Sequence, residues 1–230
     1  MKVIKYSLLI ISIFFISGKL IAQDAVKELD KVYGLDQTLY NGKKYSFIVP
    51  PGTSGHQFLQ AQLFSDGTLT LKGKEYHDIA LNYDIYNQQL LLQYADDNFP
   101  VNFIEVSKAW LQSFSLGDMK FRLLQLEKEP QFYQVIGDGP LQILYFWRKT
   151  LNLNDVIGTS NFVFSVPLRD SFVLMNRQLK PFKTRRSLIQ LFDRGQRQEI
   201  KNYMRKNKIK VKKSSDHAMA DLINFIGKLK

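Results

Sequence analysis

The sequence predicts an α+β protein: a mainly antiparallel β-sheet, or a partly open barrel-like domain, followed by a short three-helix C-terminal region. Three observations carry this. From about Leu39 to Lys180, apolar residues recur with a period of two between regularly spaced turn dipeptides. Beyond residue 181 the period becomes that of a helix. The 230 residues hold no cysteine but are 45% hydrophobic and 13% aromatic, so burial of a core, without disulfides, must hold the fold.

The opening segment, MKVIKYSLLIISIFFISGKLIAQDAV, has the layout of a secretory signal. Lys2 and Lys5 stand in front, Ser7 to Ile16 form an apolar stretch, and a cleavage point follows Ala22. The apolar stretch stops at Ser17-Gly18-Lys19, short of the ~20 residues that a bilayer-crossing helix needs. Residues 1–22 are therefore expected to be a signal peptide, and the mature chain to have no transmembrane helix. Without cysteine there is no attachment point for a lipoprotein anchor. Residues 23–37 read as a polar lead-in, 38–180 as the antiparallel β domain and 181–230 as the basic helical region.

Within the β domain, turn signals fall at Asn41-Gly42, Asp66-Gly67, Gly73, Asn87, Gly117-Asp118 and Asp138-Gly139. The stretch DIALNYDIYN sets Ile79, Leu81, Tyr83 and Ile85 on one face and Asp78, Ala80, Asn82 and Asp84 on the other. That is the pattern of a strand with one wet face. LQILYFWRK is apolar on both faces and predicts a central strand. NFVFSV and SFVLM, around Arg169-Asp170, predict a further hairpin, and Pro50-Pro51-Gly52 marks a loop. In the helical region, Leu188, Ile189, Leu191 and Phe192 predict a short helix ended by Gly195. A second helix runs through 194–209 with Ile200, Tyr203 and Met204 inward. A third, capped by Ser214 or Ser215, turns Ala218, Leu222, Phe225, Ile226 and Leu229 to one face.

The segment from Gly55 to Tyr94, with its glycine-aromatic opening and its strand Leu81, Tyr83, Asp84, Tyr86, Asn87, resembles a set of uncharacterised envelope proteins of Bacteroidota. FYQVIGDGPLQILY and the basic helical end TRRSLIQLF…IKNYMRKNKIKVKK resemble later parts of the same family. Residue 57 is Gln where that pattern has proline. The resemblance spans nearly the whole mature chain and implies a fold and a compartment. It implies no activity and no catalytic residue.

Catalytic chemistry finds little footing. The three histidines, His56, His77 and His217, do not stand at metal-ligand spacing, and no phosphate-cradling glycine loop occurs. No cofactor is implied. Ser54 and His56, with Asp66 as a third group, are the one nucleophile set left open. The acids Asp96, Asp97, Glu127 and Glu129 read as solvated surface. Tyr83, Tyr86 and Tyr94 read as strand packing, with a sugar-stacking platform as the alternative.

Charge is the informative feature. The chain has a formal net charge of +11, and residues 177–213 hold fourteen Lys and Arg against two acids, Asp193 and Glu199. On a helix, Arg194, Arg197, Lys201, Arg205 and Lys208 share a stripe about 80° wide. Such a face is either a solvated counterweight to an acidic body or a contact for an envelope protein, an anionic membrane or lipopolysaccharide. Nucleic acid is not expected as a partner of an exported chain that lacks a reader motif. The expectation is thus a non-enzymatic exported envelope protein, periplasmic or outer-membrane-associated, with these five cations as its binding residues. Its alternatives are a hydrolase of envelope polymers and a small outer-membrane β-barrel.

Overall fold

A computed structural model describes residues 36–60, 63–94, 101–126, 129–156 and 159–229. The predicted signal peptide, Asp96, Asp97 and Glu127 lie outside the described residues. The chain divides into two compact units, residues 1–41 and 42–230. The described part of the first is a single turn, in which Asp36 Oδ1 accepts from the amides of Thr38 and Leu39 at 2.8 and 3.1 Å.

The second unit is built on an open, wholly antiparallel sheet of eleven strands in the order β1-β5-β4-β3-β2-β6-β7-β8-β9-β12-β13. Its first arm comprises β1 (Gly42–Lys44), β2 (Ser65–Leu71), β3 (Lys74–Asp84), β4 (Gln89–Tyr94) and β5 (Asn102–Val106). The second comprises β6 (Leu111–Leu116), β7 (Met119–Leu124), β8 (Gln131–Ile136), β9 (Gln142–Arg148), β12 (Leu168–Met175) and β13 (Gln178–Phe182). Between β9 and β12 the chain leaves to form a separate ribbon, β10 (Leu151–Val156) with β11 (Thr159–Phe164). The α+β class holds. The sheet does not close, since β1 and β13 form its two edges, so the barrel alternative lacks the full strand pairing on which a membrane barrel depends.

Three sequence readings are corrected here. Asp66-Gly67 is no turn but lies inside β2, because a Cβ on Gly67 would stand 2.2 Å from the Ser115 carbonyl of the neighbouring strand. Arg169 and Asp170 are no turn either. They belong to β12, opposite Trp147 and Phe146, while NFVFSV lies in and just after the β10–β11 ribbon. Asn82 and Asp84 are buried, not wet, because the segments before β2 meet their side chains: Tyr45 Oη donates to Asp84 Oδ2 at 2.8 Å and Asn82 Nδ2 donates to Leu63 O at 3.2 Å. The Leu59 amide bonds Tyr83 O at 3.0 Å and the Ile85 amide bonds Gln57 O at 3.2 Å.

One face of the sheet is continuous core. A bulge at His77-Asp78 (Asp78 φ +55°) keeps Tyr76 in step with Ile79, so the alternation survives the irregularity. Tyr83, fully buried, meets Phe114, Phe121 and Phe132 at ring separations of 5.4–5.5 Å, and Phe114 stacks on Phe121 at 4.7 Å. β9, predicted to be central, buries Ile143, Leu144 and Tyr145 between β8 and β12.

The face over β8, β9, β12 and β13 is covered by three helices: α1 (Arg185–Gln190), α2 (Arg194–Lys206) and α3 (Asp216–Gly227). Leu188, Phe192, Ile200, Met204, Met219, Leu222, Ile223 and Ile226 join Ile136, Ile143, Tyr145, Val173 and Phe182 in a single cluster. α1 begins with a Thr184–Ser187 capping box and ends at Leu191, not at Gly195, which sits in the first turn of α2. Ser215 caps α3. The buried stripe of α3 includes the predicted Leu222 and Ile226 and is widened by Met219 and Ile223, because this helix meets both the sheet and α2. Phe225 faces α2 and stacks on Tyr203 at 4.1 Å.

Replacing Phe121 by Ala removes a ring shared by two of these aromatic contacts, near the middle of the sheet. It is expected to lower stability by about 3–5 kcal/mol, read as a fall in the urea midpoint. A loss under about 1 kcal/mol would mean that the cluster is not central to the fold.

Candidate functional site

The five predicted cations do not form one stripe. Arg194, Lys201 and Arg205 are exposed on α2. Arg197 is committed to structure: its Nε donates to Phe192 O at 2.8 Å and its Nη2 to Gln190 O at 3.0 Å, closing the C-terminal end of α1. Lys208 is not on the helix. α2 stops at Lys206, with Asn207 as its cap. The Ile209 amide bonds Met204 O at 2.9 Å, and the Lys208 amide bonds Arg205 O at 3.2 Å. That is the Schellman termination, with Lys208 in the left-handed position (φ +53°) and the buried pair Ile209 and Met204 as its apolar contact.

Sequence reasoning missed the turn that follows. Ile209 and Val211 are buried, two residues apart, so Lys208, Lys210 and Lys212 all point outward. The turn is built, not trailing. Lys210 O accepts from the amides of Lys213 and Ser214, both at 2.8 Å, and Ser214 Oγ accepts from the Lys210 amide at 2.8 Å. Arg169 ties it to the sheet: Nη2 donates to Val211 O at 3.4 Å while the guanidinium lies 4.0 Å over the Tyr145 ring and 3.9 Å from Asp216. The signal available in the sequence was Ile-Lys-Val-Lys, an alternation read there as the end of a helix.

Across this turn lie Lys183 and Arg185. Two adjoining cavities result, about 390 and 360 Å³, which share Lys183, Val211 and Lys212. The first reaches back over Arg169, Phe172, Pro181 and Phe182. The second is lined by Lys183, Arg185, Lys210, Lys212 and Lys213 and by no acid. Asp170, which lines the first, is already paired with Arg148 at 2.9 Å. Among the described residues, no ion pair involves any of the fourteen cations of 177–213. Burial pushes the Tyr145 hydroxyl beside Arg169 up to about 12, which leaves it a neutral surface for the guanidinium.

The other sequence candidates fall apart or become structural. Tyr83 is inside the core, its hydroxyl donating to Gln88 Oε1 at 2.6 Å, so the three tyrosines form no platform. Ser54 bonds through its backbone to Phe162 and Phe164 of the ribbon. His56 Nδ1 accepts from the Phe58 amide at 3.2 Å and stands 3.5 Å from Lys149 Nζ. The ring proton therefore sits on Nε2, and the group beside the ring is a cation where a serine hydrolase needs an orienting carboxylate. Burial, and then Lys149, hold His56 below the ordinary imidazole range. Lys149 is itself held down by burial, its Nζ donating to His56 O at 2.6 Å. Asp84, wholly buried, accepts from the amides of Tyr86 and Asn87, from Asn87 Nδ2 and from Tyr45 Oη, all at 2.8–2.9 Å. Burial, then the Tyr45–Asp84 bond, drive the Tyr45 hydroxyl far above its usual range. These groups fasten residues 45–59 to β3.

His77 is exposed, and His217 pairs with Asp221 at 3.1 Å on the surface of α3. Among the described residues, no three His, Asp or Glu converge as a metal site, and no helix is long and apolar enough to cross a membrane. No family model, curated protein or solved structure matches the chain.

Because His56 resists protonation in the folded chain, its contribution is fully present above about pH 6.5 and is lost as the pH falls through the ordinary imidazole range. His56→Gln is expected to reduce the difference in urea midpoint between pH 7.5 and 5.5. An undiminished difference would remove His56 as its source.

Proposed function

We propose that the protein is a non-enzymatic, exported binding module of a bacterial envelope, whose cationic helical end meets an anionic membrane surface or acidic partner. One observation carries this reading. Fourteen cations are gathered into residues 177–213, twelve of them exposed and two, Arg185 and Arg197, bonded to backbone carbonyls, with no ion pair to the sheet among the described residues. Concentrated charge of one sign raises the local concentration of opposite charge and speeds encounter. The leader-like opening and the resemblance to envelope proteins of Bacteroidota support an exported, periplasmic or outer-membrane-associated location.

The hydrolase alternative loses ground because His56 is turned to a backbone amide and a lysine. Arg194, Lys201, Arg205 and Lys208 remain the exposed members of the predicted contact, joined by the lysines of the 210–213 turn, while Arg197 braces the helix behind them.

Each exposed cation near an anionic bilayer contributes about 1 kcal/mol. The triple variant Arg194→Glu, Lys201→Glu, Arg205→Glu is therefore expected to bind vesicles containing phosphatidylglycerol at least about tenfold more weakly, with unchanged circular dichroism. Equal binding of wild type to zwitterionic vesicles would count against the reading. Separately, residues 1–22 fused to a phosphatase that folds only outside the cytoplasm are expected to yield active enzyme, and an inactive fusion would remove the exported location.

A further inference from the structure

We infer that the groove between β13, the start of α1 and the 208–213 turn is a binding site for a phosphoryl group carried on an apolar body. This deepens the proposed anionic contact, on which it rests, by giving it a place and a chemistry. Three features separate the groove from the rest of the cationic surface.

The first is crowding. Lys183, Arg185, Lys210, Lys212 and Lys213 surround a cavity of about 360 Å³ with no carboxylate in its lining. Like charges so placed repel. Arg185 is partly engaged, its Nη2 donating to Lys201 O at 2.7 Å, while no ion pair relieves the four lysines among the described residues. The second is rigidity. The Lys210–Ser214 hydrogen bonds, the buried side chains of Ile209 and Val211 and the Arg169 bond to Val211 O hold the turn in place. The backbone positions that carry the lysines are therefore set before any ligand arrives, which lowers that part of the entropic cost of binding. By contrast, Arg194 and Lys201 stand on an open helix face.

The third is the floor. The adjoining cavity is lined by Phe172, Pro181, Phe182 and Val211 together with Arg169, Ser171 and Asp170, the last paired with Arg148, so the cationic mouth opens on a partly apolar wall. Lysines act as point charges, suited to an oxyanion that presents several oxygens. A phosphomonoester carries about −1.5 to −2 charges on one small group, and so neutralises a tight cluster better than a phosphodiester or a single carboxylate does. An extended acidic peptide is a poorer fit. It would have to pair with the edge strand β13, and Pro181 withdraws an amide from that edge.

The test compares vesicles of phosphatidylcholine doped with phosphatidic acid, a monoester, against vesicles doped with phosphatidylglycerol, a diester, to the same surface charge. Two double variants of the purified protein are used: Lys210→Gln with Lys212→Gln in the groove, and Arg194→Gln with Lys201→Gln on the helix. Wild type is expected to prefer the monoester vesicles. The groove variant should lose about thirtyfold in affinity for them, at about fivefold per lysine, and with it the preference. The helix variant should weaken binding to both lipids alike and keep the preference. Soluble pyrophosphate tests the apolar body: displacement from monoester vesicles only at concentrations far above that of the lipid phosphate supports it, and displacement at equal concentrations overturns it in favour of a free phosphoryl ligand. Equal binding of both lipids, equal losses from the two variants, or equally tight binding of a polyglutamate peptide would overturn the groove while leaving the anionic contact standing. No binding to any anionic vesicle would overturn both. Matching melting temperatures of the two variants exclude unfolding as the cause.

Discussion

Ile143, Tyr145, Val173 and Phe182 form an apolar surface that the open sheet cannot cover by itself, and the helical end exists in its present form because it covers them. In a closed barrel such residues would meet the far wall. Here the sheet keeps two edges, and the inner face of its second arm needs another element laid across it. Ile200 and Met204 of α2, and Met219, Leu222, Ile223 and Ile226 of α3, supply that cover. Once those side chains point in, the cations on the opposite faces have only solvent to occupy. The outward charge follows from burial, and the helices belong to the core as fully as the strands do.

The polar contacts of this interface act as registration. Gln134, almost wholly buried, receives the indole N–H of Trp147 at 2.8 Å and donates to Asp216 in the first turn of α3. Arg169, stacked on Tyr145, reaches Asp216 and the carbonyl of Val211. A buried polar group left unbonded is costly, so α3 and the turn before it have one arrangement that satisfies this set. Asp84 does the equivalent work on the other side of the sheet. Its four accepted hydrogen bonds compensate for the burial of a carboxylate; three close the turn after β3 and the fourth, from Tyr45 Oη, ties the 45–59 segment to it.

Much of the fold was legible because hydrophobic periodicity is a local property. The alternation of β3, the double-faced apolar run of β9, the turns at Gly73, Asn87 and Gly117-Asp118, and the inward residues of α2 could all be read from a few neighbouring positions. The failures are cases where a non-local neighbour overrode the local signal. Gly67 looks like a turn residue and serves to let Ser115 O approach. Asn82 and Asp84 look wet until the segments before β2 meet them. The β12–β13 hairpin turns on Asn176 and Arg177, both at positive φ, where no glycine marks the turn. Lys208 likewise occupies a left-handed position that usually goes to glycine.

The candidate site divides along the same line. Composition alone settled that the cations collect at one end of the chain, because counting needs no coordinates. Which of them are free to meet an anion depended on folding. Arg197 is taken by the carbonyls of Gln190 and Phe192, Arg185 is partly taken by that of Lys201, and Lys208 leaves the helix through its terminating turn. Lys183 and Arg185 come within reach of Lys210, Lys212 and Lys213 only because β13, α1 and the turn pack together. Distances between residues nearly thirty positions apart are set by the burial of Phe182, Ile209 and Val211, and no local pattern encodes them.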